Sequence, residues 1–157
     1  MIFSSFGNVP LGFNRLAEAL DNYAHQSGER IVVQYGNTDY NFKYIEKYNF
    51  LDHEQMISFM NDADILVLQG GWGTISEALD LRKRIVAVPR IKGIEHNHTQ
   101  EELVIELEKK GYILGVYNIE ELSIVIEKAK KYDFIPLVRG SATSIINQNL
   151  QKWFSQV

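Results

Sequence analysis

A chain of 157 residues with 45% hydrophobic side chains is long enough to bury one ordinary core without disulfides or metal. It has no cysteine, which removes disulfides, thiolate metal sites and cysteine nucleophiles together and is compatible with a reducing compartment. A net charge of −4 offers no basic footprint for nucleic acid, no apolar run approaches the roughly 20 residues of a membrane span, and the N-terminus lacks the basic and apolar segments of a secretory signal. These features predict a soluble intracellular protein with no direct membrane span, so that any membrane role must come through a partner.

The apolar residues change period in a regular order along the chain. Ile2 to Phe6 reads as a short strand, and helical spacing follows over Asn14 to Ala24. Ile31 to Tyr35 and Tyr48 to Leu51 are strand-like, and a helix is predicted from Glu54 to Met60. Ile65 to Leu68 is a continuous apolar run of the kind that fills a parallel sheet, and helical spacing resumes through Ala78, Leu79 and Leu81 after a glycine-rich turn. Strand Ile85 to Val88, helix Glu101 to Lys110, strand Ile113 to Val116 and a helix from Ile119 to Lys131 complete the series. Repeated β-α units of this length predict an α/β, Rossmann-like parallel sheet with helices on both faces, joined by right-handed crossovers. That domain covers residues 1–132. After a break at Pro136, residues 133–157 read as a linker and a C-terminal helix starting near Ser141, a suitable N-cap. The helix carries Ile145, Ile146, Leu150, Trp153 and Phe154 at helical spacing, a stripe that either packs on its own sheet or docks another subunit. There is no internal repeat or low-complexity tract.

In such sheets ligands lie beyond the carboxyl ends of the strands. Three loops there carry unusual residues: Phe6-Gly7-Asn8, the stretch Q-G-G-W-G-T-I-S-E from Gln69 to Glu77, and Pro89 to Gln100 with Arg90, His96 and His98. The second is the most informative. A strand that stops at Gly70, Gly71 and Gly73 and restarts as a helix leaves main-chain N–H groups unpaired at the positive end of a helix dipole, an anion cradle. Glu77, one turn in, can accept hydrogen bonds from the hydroxyls of a sugar attached to the bound phosphate, which points to a nucleotide with a ribose. The same residues also suit a tight turn that needs glycine, with a glutamate complementing the helix dipole, and taken alone they leave both readings open. The pattern G-x-G-x-x-G fits poorly, because Ser76 follows Gly71 and Gly73 and Pro89 and Arg90 stand where an acidic ribose ligand belongs; a Walker loop is absent. His96 and His98 are metal-ligand types without a third ligand at plausible spacing, so they read as solvated histidines or substrate contacts.

The Gln69 to Glu77 stretch, continued by I-V-A-V-P-R and Gln100, resembles the donor-binding signature of nucleotide-sugar glycosyltransferases with two Rossmann lobes. From F-G-N and the Phe13 to Asp21 helix through E-A-L, V-P-R and K-K-G-Y-I to Val116, the chain resembles the glycosyltransferase family 28 C-terminal domain in its free-standing form. That form includes the catalytic subunit of the eukaryotic two-subunit N-acetylglucosaminyltransferase that elongates dolichol-linked chitobiose, and the small subunits of bacterial two-component capsule and exopolysaccharide transferases. The resemblance implies the C-terminal lobe of a GT-B glycosyltransferase and assigns roles by position. Gly73 and Thr74, with the backbone of Gly70 and Gly71, hold the diphosphate of the sugar donor; Glu77 binds ribose hydroxyls; Gln100 contacts the transferred sugar. Gly7 and Asn8 face the diphosphate from the first loop, main chain near Phe50 and Leu51 meets the uracil, and Arg90 belongs with the substrate-binding residues. Trp72 stands where relatives also place an aromatic, either stacked on the ligand or packed under the loop. Gln69 replaces a frequent His and can donate a hydrogen bond to phosphate without adding charge, and Thr99 replaces a His or an acid, which leaves the sugar open.

The implied function is the donor-binding subunit of an inverting, metal-independent transferase that moves a hexose or N-acetylhexosamine from a UDP-sugar to a lipid-linked acceptor in polysaccharide biosynthesis. The UDP-sugar is a substrate, and neither cofactor nor metal is expected. With the first strand starting at Ile2, the acceptor lobe is expected from a membrane-associated partner subunit, and the chain alone is expected to turn over little. A homodimer closing one site, a non-catalytic accessory protein that stimulates a complete transferase, and a different nucleotide-sugar enzyme on the same fold are the alternatives. The general base is unassigned: His96 and His98 are candidates by type only, and in two-lobed transferases the base usually belongs to the other lobe.

Overall fold

The computed structural model describes residues 1–140. Six strands, β1 (Ile2–Ser5), β2 (Ile31–Gln34), β3 (Glu46–Tyr48), β4 (Ile65–Gln69), β5 (Arg84–Val88) and β6 (Leu114–Gly115), form one sheet in the order β3-β2-β1-β4-β5-β6. Every neighbouring pair is parallel. The chain order reverses between β1 and β4, so their carboxyl ends flank the point at which α/β sheets open a crevice.

Alternation along the strands divides the core into two layers. Ile2, Ile65, Val67, Val86 and Val88 point to one face, where α1 (Asn14–Ser27) packs Leu16, Ala17 and Leu20 and α5 (Leu122–Ala129) packs Leu122, Ile126 and Ala129. Phe3, Leu66, Leu68, Ile85 and Ala87 point to the other, against Met60 of α2 (His53–Asp62), Ile75, Ala78 and Leu79 of α3 (Trp72–Asp80) and Val104 and Leu107 of α4 (Glu101–Lys109). Strands β1, β2 and β4 are buried along their whole length, which explains the apolar runs that open them, and the polar residues Ser4, Ser5, Gln34 and Gln69 fall at their carboxyl ends. The α/β, Rossmann-like sheet with helices on both faces is the architecture expected from the sequence.

Individual elements differ from expectation for local reasons. The third strand is Glu46–Tyr48 rather than Tyr48 to Leu51. It lies at the sheet edge, where charged side chains are tolerated, and Arg30 donates to Glu46 across it at 2.8 Å. Asp21, buried on α1, accepts main-chain N–H groups of Lys43 and Tyr44 and so anchors the segment that leads into this strand. Leu51 instead packs against the second layer, and Asp52 with Gln55 forms a capping box that starts α2 at His53. The sixth strand is two residues long, and Ile119–Glu121 forms a 3₁₀ turn ahead of α5.

Residues 133–140 lie along the domain. Phe134 packs with the α1/α5 layer, the Ile135 N–H donates to the Gly111 carbonyl, Leu137 packs with the opposite layer, and Arg139 pairs with Asp80 on α3. The helix expected from Ser141 and its aromatic stripe lie outside the described residues. No helix among the described residues is long and apolar enough to cross a membrane.

Candidate functional site

The crevice is built around the start of α3. Gly71 occupies the N-cap in extended backbone (φ −86°, ψ 133°) and no side chain caps the helix. The first-turn N–H groups of Trp72, Gly73 and Thr74 therefore face outward at the positive end of the dipole with no side-chain acceptor. The neighbouring glycines differ in cause. A Cβ on Gly70 would lie 2.8 Å from Gln100 Cβ and 3.0 Å from Val104 Cγ2, so close packing of α4 excludes any side chain there. A Cβ on Gly73 would meet nothing within 4 Å, and its φ is not positive, so neither packing nor backbone geometry calls for glycine.

Glu77 projects from the second turn of α3. Its Oε1 lies 3.1 Å from His53 Nε2, while its Oε2 is buried with no hydrogen-bond partner among the described residues. His53 was not singled out from sequence. The available signal was the capping box D-H-E-Q, which places His53 at the first turn of α2 on the rim of the crevice.

Beneath the cradle lies Arg90, only 3% exposed. Its Nε donates to Gln69 Oε1 at 2.7 Å, its Nη2 to the Phe6 carbonyl at 2.9 Å, and its Nη1 to the carbonyls of Leu11, Gly12 and Glu95 at 3.0–3.1 Å. The guanidinium also sits 4.4 Å from the Phe13 ring centroid. Burial lowers its pKa to about 10, which leaves it a cation at neutral pH. Its side-chain contacts are thus to the protein, and it joins all three loops noted in the sequence. Its main-chain N–H donates to Gln100 Oε1 at 3.0 Å, orienting that amide as well. Gly7 has φ +73°, and a Cβ there would fall 2.0 Å from Gln69 Nε2, so the first loop closes directly onto the Gln69 amide. The β5–α4 loop is held by Glu95, whose buried carboxylate accepts from Arg15 Nε at 2.9 Å and Nη2 at 3.0 Å and from the Ile91 N–H at 2.9 Å.

Asn8, Val9, Pro10 and Leu11 form one wall of an open cleft of about 450 Å³, and His96, Asn97 and His98 form the other. His96 Nδ1 lies 3.0 Å from both the N–H and the carbonyl oxygen of His98, contacts that suit either ring tautomer. Trp72 is 47% exposed, not packed under the loop, with the Arg139 guanidinium 5.9 Å from its ring. Phe50 is exposed beside Gly36, whose backbone abuts Gly7, while Leu51 is half-buried. Thr99 is exposed at the surface. Among the described residues no three His, Cys, Asp or Glu side chains group in a way that could hold a metal ion. A second groove of about 490 Å³ between α1 and the 3₁₀ turn is lined by Arg15, Glu18, Tyr23 and Glu120. Among the described residues no buried unpartnered polar atom lines it, and the crevice at the switch point carries the stronger chemistry.

Residues 10–139 match the model of the glycosyltransferase family 28 C-terminal domain. The chain belongs to this family. No curated protein sequence matches it. Among solved structures it is similar to the glycotransferase of kitacinnamycin (19% identity, TM-score 0.63, covering 82% of this chain and 34% of that one). It is similar to MurG of Acinetobacter baumannii (19%, 0.61, 96% and 49%) and to ALG13 in solution (14%, 0.61, 94% and 93%). At these identities the likeness concerns the fold, that of the C-terminal lobe of GT-B glycosyltransferases. The chain spans about a third to a half of the first two proteins and nearly all of the third.

Proposed function

We propose that the crevice binds the diphosphate and ribose of a UDP-sugar, and that the chain is the donor-binding subunit of an inverting, metal-independent glycosyltransferase. The observation that carries this reading is Glu77 Oε2. A carboxylate oxygen withdrawn from water without a hydrogen-bond donor is destabilising, and ribose hydroxyls one helical turn below a bound diphosphate supply the missing donors. Gly73 supports the same reading, since the open space beside it is what a close-lying diphosphate needs.

The chemistry follows from the cradle. Sugar transfer passes through an oxocarbenium-like state while negative charge gathers on the leaving diphosphate. The first-turn N–H groups of α3 carry no side-chain cap, and in this reading they meet that charge as fixed donors without reorganising. In this reading Gln100, which adjoins Gly70, makes the contact to the transferred hexose or N-acetylhexosamine. The acceptor hydroxyl requires a base, and among the described residues neither His96 nor His98 has a carboxylate partner that would orient it for that task. We therefore assign the base, and the lipid-linked acceptor of a polysaccharide pathway, to a membrane-associated partner subunit.

Calorimetric titration with UDP tests the binding step. Saturable binding is expected, whereas no binding would favour an accessory protein. Sugar transfer to a polyprenyl-diphosphate acceptor, assayed with and without the partner, tests the division of labour; equal rates would overturn it.

A further inference from the structure

We propose that Arg90 is a positioning residue that turns the Gln69 side chain into a fixed, polarised donor for the leaving diphosphate, and that it does so from beneath the site without touching the ligand. This inference rests on the UDP-sugar reading above.

The geometry determines which way the amide faces. A guanidinium can only donate, so the 2.7 Å contact from Arg90 Nε identifies the facing atom of Gln69 as its oxygen. The NH₂ group consequently faces away from Arg90. A Cβ on Gly7 would lie 2.0 Å from this nitrogen and one on Gly71 would lie 3.4 Å from it, so it stands in the gap between the first loop and the cradle. Gln69 is 7% exposed, yet its Nε2 has no hydrogen-bond partner among the described residues. An amide held at one end by Arg90, with its nitrogen unpartnered and not sealed from solvent, is poised for a ligand beside the first loop. Since it is a donor beside the N–H groups of α3, the ligand is an anion.

Charge supports the same assignment. The local network holds two cations, Arg15 and Arg90, and one carboxylate, Glu95, which Arg15 engages through three hydrogen bonds. One positive charge is left over beneath the cradle. Gln69 conducts the influence of that charge outward, since drawing electron density from Oε1 makes the opposite N–H groups better donors. A Gln at this position thereby gains part of the electrostatic effect that a cationic His would have.

The test uses the full chain. Gln69→Glu keeps the shape and still accepts from Arg90, so the fold is retained, but it replaces the donor by an anion. UDP affinity is expected to fall at least about tenfold, the scale of one hydrogen bond to a charged group, while uridine affinity followed by NMR titration stays within about twofold. In the unaltered protein, the Gln69 side-chain amide protons, assigned by their loss in the variant, should shift downfield with UDP and not with uridine. Arg90→Lys should weaken UDP binding on its own but add little in the Gln69→Glu background, as expected if Arg90 works through Gln69. Unchanged UDP affinity, an equal loss for uridine and UDP, or additive effects would each overturn the proposal. If the unaltered protein bound neither ligand, the underlying UDP-sugar reading would fail with it.

Discussion

Replacing Glu77 by alanine separates ligand binding from folding. Of its two carboxylate oxygens, one faces His53 Nε2 at 3.1 Å and the other is buried without a partner. The His53 contact is exposed at the surface and contributes about 0–1 kcal/mol to folding. Removing an unsatisfied buried oxygen offsets that loss, so stability measured by urea unfolding should change by less than about 1 kcal/mol. Binding should respond far more. Hydrogen bonds to a charged acceptor contribute about 1.5–3 kcal/mol, equivalent to a roughly 10- to 160-fold rise in Kd for UDP. Calorimetry with UDP and with its 2′,3′-dideoxy analogue makes the test specific. The unaltered protein should prefer UDP, and Glu77→Ala should bind both with similar weak affinity. A variant that holds UDP within about twofold of the original, or still distinguishes the two ligands, would refute the ribose assignment.

Two further outcomes are expected. Gly73→Ala should raise stability by about 0.5–1 kcal/mol, because alanine favours the helix and its methyl group meets nothing, while UDP binding weakens as that methyl group occupies the cradle; a more stable variant with unchanged UDP affinity would remove Gly73 from the site. Burial, and next the hydrogen bond to Glu127, raise the Tyr23 hydroxyl to about 12, so its contribution to stability is complete below its ordinary pKa near 10 and is lost as pH rises toward 12. The urea midpoint of the original protein should accordingly fall more steeply across that window than that of Tyr23→Phe, and parallel curves would show that Tyr23 does not carry the effect.

Much of the site was legible because its signals are local. Gly70, Gly71 and Gly73 between a buried strand and a helical pattern specify an uncapped helix start, and Glu77 follows at one-turn spacing whatever the rest of the chain does. Arg90 was less legible. A cation just beyond a strand reads as a ligand contact, yet the fold buries it under carbonyls of Phe6, Leu11 and Gly12. His53 was hidden because its partner Glu77 lies 24 residues away on another helix. The third strand was displaced because apolar Phe50 and Leu51 outweighed the charged edge residues Glu46 and Lys47.

The sequence by itself determined the alternation of strands and helices and the glycine-rich, uncapped start of α3, since hydrophobic period, glycine and the helix dipole act over a few neighbouring residues. Only the tertiary structure decided which polar atoms are satisfied and which remain open. Arg90 bonds to Phe6 across 84 positions of the chain and to Gln69 across 21, while Glu77 Oε2 is left buried without a partner among the described residues. Such pairings depend on which loops the sheet order brings together, and no local pattern encodes them.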